Sequence, residues 1–237
     1  MMKKVFCLSL WALLPLTICA LNFTDYVVYN DIENGMKAAV LLEKSVLIVF
    51  TLPGCSTCEQ LKTEALSNPS LAALLKEQCI VIVAEAEKDH YAKYPFRTYA
   101  DSTNTSFETV NYYDLITKKI GSKIVPYTMF LNPRLEMIGS TQSYSGFESY
   151  EAALKKFIQL NARNPKRIQK KITISEATLL LNTLPFAQSI AWEDFKAAVA
   201  TLDRQNVYIL EDVKIAEARA LLDTLSMPPA HVLISSR

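Results

Sequence analysis

The stretch from Ser45 to Ser67 constrains the fold of this chain more than any other. Val46-Leu-Ile-Val-Phe50 is an unbroken apolar run rich in β-branched residues, which predicts a strand buried on both faces. Thr51-Leu-Pro-Gly54 interrupts it. Cys55-Ser-Thr-Cys58 then opens a segment, Glu59 to Ser67, with good helix formers and neither Gly nor Pro. The pattern sets a Cys-x-x-Cys pair at the start of a helix that follows a central strand.

That placement has chemical consequences. Backbone N–H groups at a helix N-terminus lack intrahelical partners, and together with the macrodipole they favour a thiolate over a thiol. The spacing sets Cys55 and Cys58 about one turn apart, close enough to bridge. Cys55, at the tip, is the candidate nucleophile, and Cys58, one turn in, the candidate resolving thiol. Two other readings use the same residues. A permanent structural disulfide would close so short a loop that little stability is gained. Half of a zinc site would need two further ligands, and outside the leader only Cys79, His90 and His231 remain, with no second close pair.

The 237 residues accommodate one domain with an appendage or two small ones. A formal net charge of +1 with no basic stripe argues against nucleic acid as a partner. Only 5 glycines occur, with no G-x-G-x-x-G or Walker pattern, so phosphate-cradling loops are disfavoured and no cofactor is expected. The N-terminus reads as a signal peptide over residues 1–20: Lys3 and Lys4, then an apolar run from Val5 to Ile18 broken by Pro15, then Cys19-Ala20 for cleavage. The run is short for a membrane span, so none is expected after cleavage. Export implies an oxidising compartment, the periplasm or the exterior, where disulfide chemistry is at home. Asn22-Phe-Thr24 and Asn104-Thr-Ser106 match glycosylation acceptors, relevant only in a eukaryotic secretory host.

Along the chain, Tyr26–Tyr29 reads as a short strand, and Asn30 or Asp31 as the cap of a helix from Ile32 to Lys44. Asn68-Pro69 restarts a helix through Gln78. Cys79–Ala84 is a second apolar strand, with Cys79 as a small core residue. Tyr91–Tyr113 is a tyrosine-rich insertion with a short strand at Phe107–Val110. It reads as a surface loop packing on itself, or as a cover for the cysteine pair. Asp114–Lys119 is a short helix, and Pro126 leads an apolar strand that turns at Asn132-Pro133 into an antiparallel partner at Glu136–Ser140. Ser149–Leu160 is an amphipathic helix. Residues 164–171 look like a polar linker. Beyond it come helices at 174–184 and 192–202, then a βαβ-like unit from Asn206 to Ile234. Its Pro-led final strand leaves a degenerate half-repeat open, beside a docking or dimerisation appendage.

This order of elements, with Pro-Gly-Cys55-Ser-Thr-Cys58 after an apolar strand and Ile124-Val125-Pro126-Tyr-Thr before another, resembles the thioredoxin-like family. Leu66-Ser-Asn-Pro69 and Gly146-Phe147 are similar to its exported, periplasmic members. The resemblance implies an α/β fold with a central mixed sheet flanked by helices over residues 21–162, carrying a C-terminal α/β appendage at 163–237. It implies a thiol–disulfide oxidoreductase whose partners are protein thiols or disulfides and a redox protein. It also implies that Pro126 is cis and that Val125 and Pro126 receive an extended partner peptide. Three departures stand out: Gly54 replaces the usual Trp, Ser56-Thr57 replaces Gly-Pro, and Val49 occupies the place of the buried acid. Glu85 and Glu59 are the candidates for that acid's proton-moving part. The alternative to an enzyme is a redox-inactive protein-binding module on the same scaffold, and a metal carrier using Cys55 and Cys58 is a further one.

Overall fold

The computed structural model describes residues 26–101, 106–161, 168–226, 229 and 231–235. The signal-peptide segment and both glycosylation asparagines lie outside the described residues. A five-stranded mixed sheet is ordered β1-β3-β2-β6-β7, with β1 (Val28–Tyr29), β2 (Ser45–Thr51), β3 (Cys79–Glu85), β6 (Tyr127–Leu131) and β7 (Met137–Gln142). The first three strands are parallel; β6 and β7 run antiparallel. Strand β2 is central, and Val46 to Thr51 are all buried, as expected of an apolar run covered on both faces.

Helix α1 (Ile32–Leu42) covers one face, capped by Asp31, whose Oδ1 accepts the Asn34 N–H at 2.7 Å. Helix α2 (Ser56–Gln60) continues as a π-helical stretch, Leu61–Leu66. Asn68 then caps α3 (Pro69–Gln78) with Pro69 in its first turn. Helix α5 (Phe147–Asn161) packs on β6 and β7: the Phe157 ring lies 4.3 Å from that of Phe130 and directly over Gly139, where a Cβ would collide with it.

The tyrosine-rich insertion is more ordered than a loop. Strand β4 (Tyr91–Tyr94) pairs antiparallel with β5 (Glu108–Asn111), and α4 (Tyr112–Asp114) follows. Ala92, Phe96, Val110 and Tyr112 join the core beneath α1, and the Tyr112 hydroxyl accepts the Ile32 N–H at 2.8 Å. Tyr112 thus faces α1, Tyr94 and Tyr99 pack half-buried against the same cluster, and Tyr91 and Tyr113 remain exposed.

The C-terminal residues form a second, four-stranded sheet, all parallel, ordered β8-β11-β10-β9. Its strands are β8 (Ile168–Ile172), β9 (Ala187–Ser189), β10 (Val207–Glu211) and β11 (His231–Ser235), with α6 (Ile174–Thr183), α7 (Trp192–Ala198) and α8 (Ile215–Asp223) between them. Two expectations change here. Part of the polar linker is a strand, because Ile172 enters the core and Lys170 reaches past apolar surface to donate to the Val40 carbonyl at 2.9 Å. The half-repeat fails, because β11 runs parallel to β10 whereas β6 runs antiparallel to β2.

One apolar cluster joins the two sheets, running from Met36 and Ala39 of α1 to Leu180, Ile209 and Leu233. Its rim is polar and cationic. Buried Lys44 donates to the Lys76 carbonyl at 2.7 Å, and both ammonium groups lie 5.8 Å from the Phe186 ring centroid. His231 sits at this junction with its Nδ1 buried and unpartnered among the described residues. Burial, then nearby Lys44, brings its pKa down to about 4. No helix among the described residues is long and apolar enough to cross a membrane.

Candidate redox site

The cysteine pair stands where β2 leaves the sheet. Cys55 N–H donates to the Leu52 carbonyl at 3.3 Å, which turns the chain over, and Gly54 takes a left-handed φ of 72° that favours glycine. Cys55 is the cap of α2. Its sulfur accepts the Cys58 N–H at 3.2 Å, and its carbonyl accepts the N–H groups of Cys58 and Glu59, both at 3.1 Å. The two sulfurs are bonded, with the Cα atoms 5.2 Å apart. Access to them is unequal: Cys55 is half-buried beside exposed Gly54 and Ser56, while Cys58 has 0% exposure.

The Pro-led segment adjoins this corner. Phe50 pairs with Tyr127, so one residue further Pro126 comes level with Thr51, four residues before Cys55. The Val125–Pro126 peptide is cis. Pro126 is buried, Val125 half-buried and Ile124 exposed. Two serines hold the segment in place. Buried Ser122 donates from Oγ to the Ile124 carbonyl at 3.0 Å, and Ser143 N–H donates to the Pro126 carbonyl at 2.8 Å. Neither serine stood out in the sequence: a turn-pinning hydroxyl such as that of Ser122 has no spacing signature of its own, and Ser143 acts through a backbone N–H that any residue but proline carries.

The acid candidates fare differently from one another. Val49 is fully buried, and no Asp or Glu is buried among the described residues. Glu59 is exposed and takes the Lys62 ammonium at 2.7 Å. Glu85 ends β3 opposite Thr51 and shares a hydrogen bond with Glu87, which raises the Glu87 pKa. Cys79 lies in a different setting, wholly buried in the core cluster that contains Tyr26 and Tyr150, and burial pushes its thiol up to about 12. Of the two histidines, His90 lies tilted against the Tyr112 ring and His231 lies at the inter-sheet junction. Glu87, Asp89 and His90 cluster at an exposed loop that contains neither Cys55 nor Cys58.

A family model described as a thioredoxin-like domain matches residues 32–158. The chain belongs to the thioredoxin-like family. The match holds the whole mixed sheet except β1, together with the cysteine pair and Pro126. Among solved structures, a thioredoxin from Thermus thermophilus is similar at 17% identity, with a TM-score of 0.41, over 57% of this chain and 87% of that one. The DsbH oxidoreductase is similar at 10% identity and a TM-score of 0.39, over 56% and 84%. The oxidised C-terminal domain of DsbD from Neisseria meningitidis is similar at 10% identity and a TM-score of 0.38, over 54% and 97%. A search of curated protein sequences finds no match. The thioredoxin-like fold together with a bonded Cys-x-x-Cys pair supports thiol–disulfide oxidoreductase chemistry.

Proposed function

We propose that the protein is an exported thiol–disulfide oxidoreductase that exchanges disulfides with partner proteins through Cys55 and Cys58. The observation that carries this reading is the unequal access of two bonded sulfurs in the first turn of α2. In the reducing direction the Cys55 thiolate attacks one sulfur of a partner disulfide. A mixed disulfide forms and the other partner sulfur leaves as a thiolate. Cys58, as thiolate, then attacks the Cys55 sulfur, the Cys55–Cys58 bond forms and the second partner thiolate is expelled. Two electrons pass to the partner, which takes up two protons. The oxidising direction is the reverse.

Val125 and Pro126 are the residues that receive the partner backbone beside Cys55. With no carboxylate buried near β2 among the described residues, water takes the proton from Cys58. Residues 1–20 act as the export signal and place the reaction in the periplasm, or outside the cell in other hosts. Residues 21–162 carry the exchange, and 163–237 serve as an appendage for docking.

Changing Cys58 to Ala tests this. The variant should accumulate mixed disulfides through Cys55, seen on non-reducing gels of extract and released by dithiothreitol. A Cys55 that forms none and stays inert to small disulfides would overturn the reading. The missing acid favours one other reading, a binding module with a structural pair. Redox titration against glutathione separates the two, because a pair that stays oxidised at every glutathione ratio belongs to the module.

A further inference from the structure

We propose that a cavity between α1, the tyrosine-rich insertion and α6 binds a small aromatic acid that also carries a hydroxyl or carbonyl group. The cavity has a volume of about 550 Å³, a size that suits a small molecule. Val40, Leu41, Tyr99, Phe107 and Leu179 supply its apolar wall. None of its lining residues belongs to α2 or to the segment led by Pro126, so the site shares no residue with the cysteine pair.

Two polar features indicate what fills it. The first is Thr98, on the short helical turn Phe96–Tyr99. It lines the cavity at 8% exposure, and its Oγ1 is buried with no hydrogen-bond partner among the described residues. A buried hydroxyl left unpaired is costly. A hydroxyl or carbonyl on the ligand would satisfy it, since the Thr98 hydroxyl both donates and accepts. The second feature is charge at the rim. Lys37 and Lys93 line the cavity with half-exposed side chains and share one carboxylate: Glu33 Oε1 is 3.0 Å from Lys37 Nζ and 3.9 Å from Lys93 Nζ. The Lys93 ammonium also lies 5.2 Å from the Phe107 ring centroid, and its backbone N–H donates to the Tyr99 hydroxyl at 2.9 Å. The other carboxylate in the wall, Glu176, is engaged elsewhere: its Oε2 accepts the Thr173 N–H at 2.7 Å, and its charge supports that of the Lys170 ammonium. A carboxylate at Lys93, a ring along Phe107 and Leu179, and a hydrogen-bonding group at Thr98 would use all of these features.

The probe is 6-hydroxy-2-naphthoate, which carries both groups on one ring system; 2-naphthoate lacks the hydroxyl and 2-naphthol lacks the charge. Each is titrated by its own fluorescence against the full chain at pH 7, as wild type, Thr98→Val, Thr98→Ser and Lys93→Gln. The wild type should bind 6-hydroxy-2-naphthoate one to one with a Kd below about 1 mM. Thr98→Val should weaken that binding about fivefold, the size of one lost hydrogen bond, and leave 2-naphthoate unchanged. Thr98→Ser should retain it. The valine variant should melt no lower than wild type, because it removes an unpaired buried group. Lys93→Gln should weaken both acids about fivefold and leave 2-naphthol alone. The proposal is overturned if neither acid binds saturably, if 2-naphthol binds as tightly as 6-hydroxy-2-naphthoate, or if Thr98→Val leaves the affinity for 6-hydroxy-2-naphthoate where it was. Glutathione exchange at Cys55–Cys58 should be the same in all four proteins, so this proposal and the exchange reading fail separately.

Discussion

Cys58 and Cys79 are both fully buried or nearly so, yet their surroundings differ in kind. Cys58 lies in the first turn of α2, bonded to a half-exposed partner that caps the helix and accepts its N–H. Cys79 starts β3 and faces Tyr26, Tyr150 and Leu47 in a packed cluster, where desolvation pushes its thiol up to about 12. Lys44 acts in the opposite direction on that thiol and is outweighed. Burial alone does not make a cysteine inert. What separates the two is whether backbone donors and a bonded, reachable sulfur stand beside it.

The comparison breaks most readily at Cys79. Replacing it with Ser puts a hydroxyl in an apolar site and should cost about 1–3 kcal/mol in chemical denaturation. The glutathione equilibrium of Cys55–Cys58 should stay where it is. A shift in that equilibrium would tie Cys79 to the redox chemistry and end the distinction.

The junction between the sheets supplies a pH-dependent counterpart. His231 has a folded pKa of about 4, below the ordinary value of 6.5. Above pH 6.5 both folded and unfolded forms are neutral and the stability is fully present. Between 6.5 and 4 the unfolded chain binds the extra proton, so stability falls as the pH falls. Lys44 and Lys170 oppose the charged ring, and the Leu42 carbonyl partly offsets them. A loss on the order of 2 kcal/mol is expected across that window. The variant His231→Gln should flatten it, as measured by urea unfolding at pH 4.5 and 7. An equally steep acid limb in the variant would assign the effect elsewhere.

The smallest effect is expected at Glu59. Its pair with Lys62 is exposed on the Glu59 side, so Glu59→Gln should change stability by no more than ~0.5 kcal/mol. If water and not this carboxylate moves the Cys58 proton, the exchange rate with glutathione disulfide should also hold within about twofold. A tenfold slower resolving step would make Glu59 the proton carrier.

How legible these regions were in the sequence follows from how local their causes are. The run Val46–Phe50, the cysteine spacing and Asn68-Pro69 each act through neighbours in the chain, and β2, α2 and α3 stand where they were expected. Strand β8 was hidden by Lys170 and Lys171: its reason for being a strand is a parallel partner about 60 residues later. Strand β4 likewise depends on β5 across the insertion. The π-helical continuation of α2 follows no pattern in Leu61–Leu66, which carries ordinary helix formers; its end is fixed by Ser67, whose N–H and Oγ both donate to the Lys62 carbonyl, the Oγ at 2.8 Å. Within the site, the cysteines announced themselves by spacing. Ser122 did not, because its hydroxyl matters only through the Ile124 carbonyl 3.0 Å away.

Competitive alkylation of the reduced, native protein at pH 7, mapped by mass spectrometry, tests the central claim most directly. Cys55 should label first and by a wide margin, with Cys58 slow and Cys79 unlabelled until denaturant is added. Labelling of Cys79 at a rate equal to that of Cys55, or a Cys55 that stays unmodified, would contradict the account.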